Sequence, residues 1–78
     1  MTVTVLYFAA LRDAAGVTEE VVPTPVDLPT LYAALQARHG FTFPSEALRV
    51  AVDGEFRGWS HPVRDGSEIA FIPPVSGG

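Results

Sequence analysis

The chain has 78 residues, 47% of them hydrophobic and 18% charged, which fits one small domain with a core of its own and excludes disorder from low hydrophobicity. Five Arg against nine acids leave a formal charge of −4, the wrong sign for nucleic acid or for anionic lipid headgroups. With no Cys there is no disulfide, no thiolate metal site and no cysteine nucleophile. No apolar run approaches the roughly 20 residues of a membrane helix. The N-terminus also lacks a basic start before an apolar stretch, so a cytoplasmic location is expected.

Thr2 to Phe8 (TVTVLYF) is β-branched and aromatic and alternates with period two, which predicts a strand. Val3, Val5 and Tyr7 fall on one side. Thr2 and Thr4 fall on the other, which turns apolar at Leu6 and Phe8. Ala9 to Ala15 can form a short helix, stopped by Gly16. Thr18 to Val22 reads as an edge strand, because Pro23 and Pro25 cannot donate to a ladder just beyond it. A helix is predicted over Leu31 to His39, capped by Thr30 or by Asp27 and ended by Gly40; Leu28, Leu31 and Leu35 make its apolar stripe. Phe41 to Ala47 is expected as loop. Leu48, Val50 and Val52 point inward on the next strand, Asp53-Gly54 is a hairpin turn, and Phe56 to Ser60 is a short return strand. After a second turn at Asp65-Gly66, Ser67 to Ile72 closes the sheet with Ile69 and Phe71 inward. The fold class is therefore α+β: a mixed sheet with one main helix across one face, in a single domain spanning 1–78.

Internal catalysis finds little support in this pattern. His39 and His61 share no ligand-like spacing with each other or with a carboxylate, so no metal site is expected. Glu19-Glu20 reads as a solvated strand edge. No exposed serine or threonine sits in a triad-like pattern, and no glycine-rich phosphate loop occurs. The chain's end is more informative. Paired glycines at the last two positions arise by chance on the order of one time in two hundred at ordinary glycine usage. Pro73 and Pro74 end the last strand and hold the chain extended. Val75, Ser76, Gly77 and Gly78 then add almost no side-chain bulk, so residues 73–78 can thread a narrow channel and deliver a terminal carboxylate to another protein's active site. If the first and last strands are parallel neighbours, Phe8 and Ile72 lie at one end of the sheet on the face away from the helix. Leu6 and Phe56 extend that patch, a surface suited to a partner.

The closing segment Asp65-Gly66-Ser67-Glu68-Ile69-Ala70-Phe71-Ile72-Pro73-Pro74-Val75-Ser76-Gly77-Gly78 resembles the C-terminus of the molybdopterin synthase small subunit (MoaD) family, and Val3 to Arg12 resembles that family's first strand and turn. The resemblance implies a β-grasp, ubiquitin-like fold with a flexible C-terminal tail. It also implies a sulfur-carrier cycle, in which Gly78 is the reacting terminus. A ubiquitin-activating-type adenylyltransferase would use ATP to adenylate the Gly78 carboxylate, and sulfur transfer would give a thiocarboxylate. The tail would then enter the large subunit of molybdopterin synthase and donate sulfur to cyclic pyranopterin monophosphate, in an assembly of two small and two large subunits. Phe8, Phe56 and Ile72 match positions that pack on the large subunit. The carrier itself is expected to bind no cofactor and to be non-catalytic alone. A carrier for thiamine or another thiolation pathway, and a ubiquitin-like protein tag, are the alternative readings. The chain departs from the family in having no Lys, so Arg12 or Arg64 would supply the positive charge near the tail.

Overall fold

Strands from opposite ends of the chain lie side by side at the centre of the molecule. The computed structural model describes residues 1–74. In chain order it contains β1 (Thr2–Tyr7), α1 (Ala9–Ala15), β2 (Glu19–Pro23), α2 (Leu28–His39), a single 3₁₀ turn (Ser45–Ala47), β3 (Arg49–Val52), β4 (Glu55–Arg57) and β5 (Glu68–Ile72). The five strands form one sheet in the order β2-β1-β5-β3-β4. β1 and β5 are parallel, paired from Thr4↔Glu68 to Tyr7↔Phe71, and every other pairing is antiparallel.

Period-two alternation decides what each strand buries. Val3, Val5 and Tyr7 of β1, Val22 of β2, Val50 and Val52 of β3, and Ile69 and Phe71 of β5 all face α2, which contributes Leu28, Leu31, Tyr32 and Leu35. Phe41 and Leu48 close the ends of this core, and Trp59 packs against its rim. The aromatics interlock there: Tyr32 stacks on Phe41, while Trp59 lies nearly parallel to Phe71 with centroids 5.7 Å apart.

Helix α2 begins at Leu28, three residues before the predicted start at Leu31. Asp27 wins the capping position: its Oδ1 accepts the Thr30 backbone N–H at 2.8 Å, and Pro29 fits in the first turn, where no intrahelical N–H bond is lost. That added turn brings Leu28 into the core. The return strand is shorter than expected, stopping at Arg57, because Trp59 leaves the sheet to pack on Tyr32 and Phe71. The expected loop after α2 holds the 3₁₀ turn, and its Phe41 is core. The Asp53-Gly54 hairpin has both central residues in the left-handed region, at φ 52° and 87°.

Ala9 is a second non-glycine residue at positive φ (49°), and it follows Phe8 directly. Phe8 is still extended, at φ −128° and ψ 149°, and its carbonyl accepts the first N–H bond of α1, from Leu11. The chain thus turns sharply from strand to helix at one alanine. An L-residue in this conformation costs about 1 kcal/mol. Ala9→Gly is therefore expected to hold or raise stability, whereas Ala33→Gly, on the exposed side of α2, loses about 1 kcal/mol; urea unfolding of the two variants measures the contrast.

Candidate functional site

The sheet has one face covered by α2 and one face open. On the open face the register sets Leu6 beside Ala70, Ala70 beside Ala51, and Ala51 beside Phe56, a row running from β1 to β4. Continuing the β1–β5 pairing by one residue places Phe8 beside Ile72, which is itself paired with Arg49. Of the five Phe, Phe41 and Phe71 are core and Phe43 packs against it; Phe8 and Phe56 are the exposed pair, at 43% and 63%. No segment of the described residues folds over them as a second core would require. The Arg49 guanidinium lies over the Phe56 ring, 5.9 Å from its centroid.

This apolar face adjoins the point where the chain leaves the sheet. β5 ends at Ile72; Pro73 is still buried and Pro74 is exposed. Neither proline has an N–H to extend the ladder, so strand pairing stops at the Ile72↔Arg49 pair. Of the sequence-predicted site residues, the structure brings Phe8, Phe56, Ile72 and the Pro73-Pro74 exit to one face. Val75, Ser76, Gly77 and Gly78 lie outside the described residues.

Under the Phe8 end of β1 sits a polar cluster that the sequence reading missed. Glu20 is not a solvated edge residue. Its side chain is 17% exposed, its Oε1 accepts the Tyr7 hydroxyl at 2.5 Å and pairs with His39 Nε2 at 2.6 Å, and Arg38 lies 3.6 Å from Oε2. The carboxylate can only accept, so Nε2 of His39 carries the hydrogen. Burial acts to raise the Glu20 pKa, but hydrogen bonds from Tyr7 and His39 and the charges of His39 and Arg38 outweigh it and hold the carboxyl below the ordinary glutamate range. Burial, reinforced by the bond to Glu20 and its negative charge, pushes the Tyr7 phenol far above its ordinary value. The cluster joins β1, β2 and the end of α2. The signal was present in the period of β2, which puts Glu20 on the same side as buried Val22; the partner His39, 19 residues away, could not be read from spacing. His61 lies in the loop before Pro62. Among the described residues no three His, Asp or Glu gather where they could hold a metal ion.

A five-stranded mixed sheet with parallel central strands from the two chain ends, crossed on one face by a helix, defines a β-grasp, ubiquitin-like domain. The ThiS family profile matches residues 5–78, and the chain belongs to that family. It is 34% identical to the molybdopterin synthase sulfur carrier subunit of Escherichia coli (strain K12), over 95% of this chain and 96% of that protein. Its fold matches small archaeal modifier protein 1 of Methanosarcina acetivorans, with a TM-score of 0.80, 25% identity and coverage of 99% and 96% of the two chains. It also matches a chain from the complex of subunits 1 and 2 of the molybdopterin-converting factor of Helicobacter pylori 26695, with a TM-score of 0.70, 26% identity and both chains fully covered.

Two measurements test this geometry. Phe56→Ser should change folding stability by less than about 1 kcal/mol, because its ring is largely in water, and Phe8→Ser, at a nearly half-exposed ring, by about 1 kcal/mol, while Phe71→Ala should cost about 3–5 kcal/mol. The polar cluster sets the pH response. The depressed Glu20 pKa gives stability that is present above the unfolded value of 4.5 and lost as pH falls through the lower folded value. The raised Tyr7 pKa gives stability present below 10.0 and lost as pH rises beyond it. Glu20→Gln should lower stability at neutral pH by about 2 kcal/mol and flatten the acid limb of a thermal-unfolding profile against pH.

Proposed function

We propose that the chain is the sulfur-carrying small subunit of a molybdopterin synthase, a single ubiquitin-like unit whose working end is the segment, or arm, from the exposed Pro74 to Gly78, Pro73 being buried. The observation that carries this reading is the shared position of two features: the uncovered Phe8–Ile72–Phe56 face and the Pro73-Pro74 exit beside it. The name of the Escherichia coli relative and the subunit complex of the Helicobacter pylori neighbour support the same assignment.

The chemistry follows from what the arm lacks. A free carboxylate is a poor acyl donor. In the proposed cycle a ubiquitin-activating-type adenylyltransferase joins the Gly78 carboxylate to the α-phosphorus of ATP, releasing pyrophosphate, and a sulfur donor displaces AMP to leave a thiocarboxylate. Sulfur is a soft nucleophile, and its position at the chain terminus means the carrier needs no cysteine, in keeping with the sequence. The loaded arm enters the large synthase subunit while the open face docks, and sulfur passes to cyclic pyranopterin monophosphate, with the acid–base groups supplied by the partner. The assembly is two small and two large subunits, and the setting is the cytoplasm. No helix of the described residues is long and apolar enough to cross a membrane. ATP is consumed by the activating enzyme, and the carrier holds no cofactor.

The likeness to an archaeal modifier protein favours one second reading, in which the same terminus forms isopeptide bonds. Intact-mass analysis after incubation with the activating enzyme, ATP and a sulfur source separates the two. The carrier reading expects one oxygen of Gly78 replaced by sulfur; the modifier reading expects adducts on other proteins. Deleting Gly78 should abolish sulfur loading and pterin conversion while leaving the unfolding transition unchanged, and normal turnover by that folded variant would refute the proposed cycle.

A further inference from the structure

Thr2, Thr4, Glu19 and Glu68 share the open face by register, but among its apolar side chains stands one cation that an apolar partner surface does not explain. On the strands, the register puts a single cation on this side of the sheet, Arg49. Its neighbours are Ile72, directly paired with it, and the exposed ring of Phe56, on which its guanidinium rests. Arg38 and Arg57 have carboxylate partners, Glu20 and Glu55. Among the described residues Arg49 has none within 4.0 Å.

From this we propose that Arg49 is a specificity-determining residue of the docking face, held by Phe56 so that it receives a carboxylate of the partner subunit. The inference rests on the reading that this face docks on a synthase large subunit. A guanidinium lying on an aromatic ring loses little by desolvation of its faces and turns its N–H edges outward, the geometry that grips a carboxylate with two parallel bonds. Docking around Phe8, Phe56 and Ile72 strips water from Arg49. An unpaired guanidinium buried in that way is strongly unfavourable, so a partner surface without an acid at this point is rejected. The chain as a whole carries a net charge of −4 and draws in basic surfaces at long range. Arg49 therefore imposes a local requirement of opposite sign: a partner basic overall, with one acid seated over the Phe56 ring. The two conditions together select a partner more narrowly than either does alone.

The test is binding of the full chain to a purified molybdopterin synthase large subunit, followed by surface-immobilised kinetics at low and physiological salt, with circular dichroism to check that each variant is folded. Arg49→Glu should weaken binding by about 100-fold and Arg49→Gln by about 10-fold, chiefly through faster dissociation. Arg49→Lys should recover the Gln variant's loss only in part, because an ammonium has no planar fork. Replacing the matching acid of the large subunit by Arg should restore binding to Arg49→Glu and not to the wild-type chain. If Arg49→Glu and Arg49→Gln bind within twofold of wild type while Phe8→Asp does not bind, the face docks and the proposed role of Arg49 is wrong. If Phe8→Asp also binds as wild type, the docking reading itself fails and takes this inference with it.

Discussion

The parallel ladder between β1 and β5 is the constraint from which the rest of the arrangement follows. It joins residues 64 positions apart, and it occupies the middle of the sheet, with β2 outside it on one side and β3 and β4 on the other. Its register settles two things at once. Tyr7 opposite Phe71 places both aromatics in the core, and the next pair, Phe8 and Ile72, then falls on the open face at the end where the chain departs. A slip of one residue would exchange the faces of every side chain on β5, exposing Phe71 and Ile69 and burying Glu68 and Ile72. The burial of Ile69 and Phe71, both with no exposed surface, is what forbids that slip. The apolar face and the chain exit are therefore placed by core packing on the opposite side of the same strand.

The two sheet faces are built to different specifications. Under α2, large side chains interdigitate. On the open face the middle of the row is Ala70 and Ala51, one buried and one half-buried, with Leu6 and Phe56 at its ends. Small residues in the centre and aromatic ones at the margin leave a shallow surface whose high points are Phe8 and Phe56. Strain is concentrated beside one of those points. Ala9 bends the backbone immediately after Phe8, and the Tyr7–Glu20–His39 cluster ties down the residue immediately before it. Phe8 thus projects from a short stretch of backbone that is restrained on both sides.

Much of this was legible in the sequence, for reasons that also explain what was not. Alternation in TVTVLYF, RVAV and EIAFI gave the inward sets of β1, β3 and β5, and the pattern of strands and a helix gave the layer architecture. Turn chemistry at Asp53-Gly54 and the stops at Gly16 and Gly40 depend on local backbone preferences, so local reading sufficed. Asp27 and Thr30 are both good caps, and only the tertiary gain from burying Leu28 decides between them. β-Propensity places Trp59 in a strand, because it says nothing about which aromatic leaves a sheet to fill a gap beside Tyr32. The Glu19-Glu20 pair suggests solvent by its charge, yet the period of β2 points Glu20 at the core beside Val22. The exposure of Phe8 and Phe56 follows from strand parity, a tight hairpin and a strict ladder register.

The abrupt exit of the chain from the sheet bears on the proposed chemistry. Pro73 is buried and Pro74 is exposed, and their two missing N–H groups prevent β5 from lengthening. In the proposed cycle the stretch from Pro74 to Gly78, at about 3.4 Å per residue, spans no more than roughly 14 Å. The partner would then hold its reactive centre within that distance of the surface carrying Phe8, Ile72 and Arg49. Docking and delivery would be one event: the contact that covers the face would bring Gly78 into range, at an effective concentration set by a short tether and not by diffusion. A short arm also penalises a misplaced dock, because a shift of a few ångströms uses up a sizeable part of its reach. On the proposed reading, that penalty would favour fixing the register with a cation at a defined point over relying on an apolar patch alone.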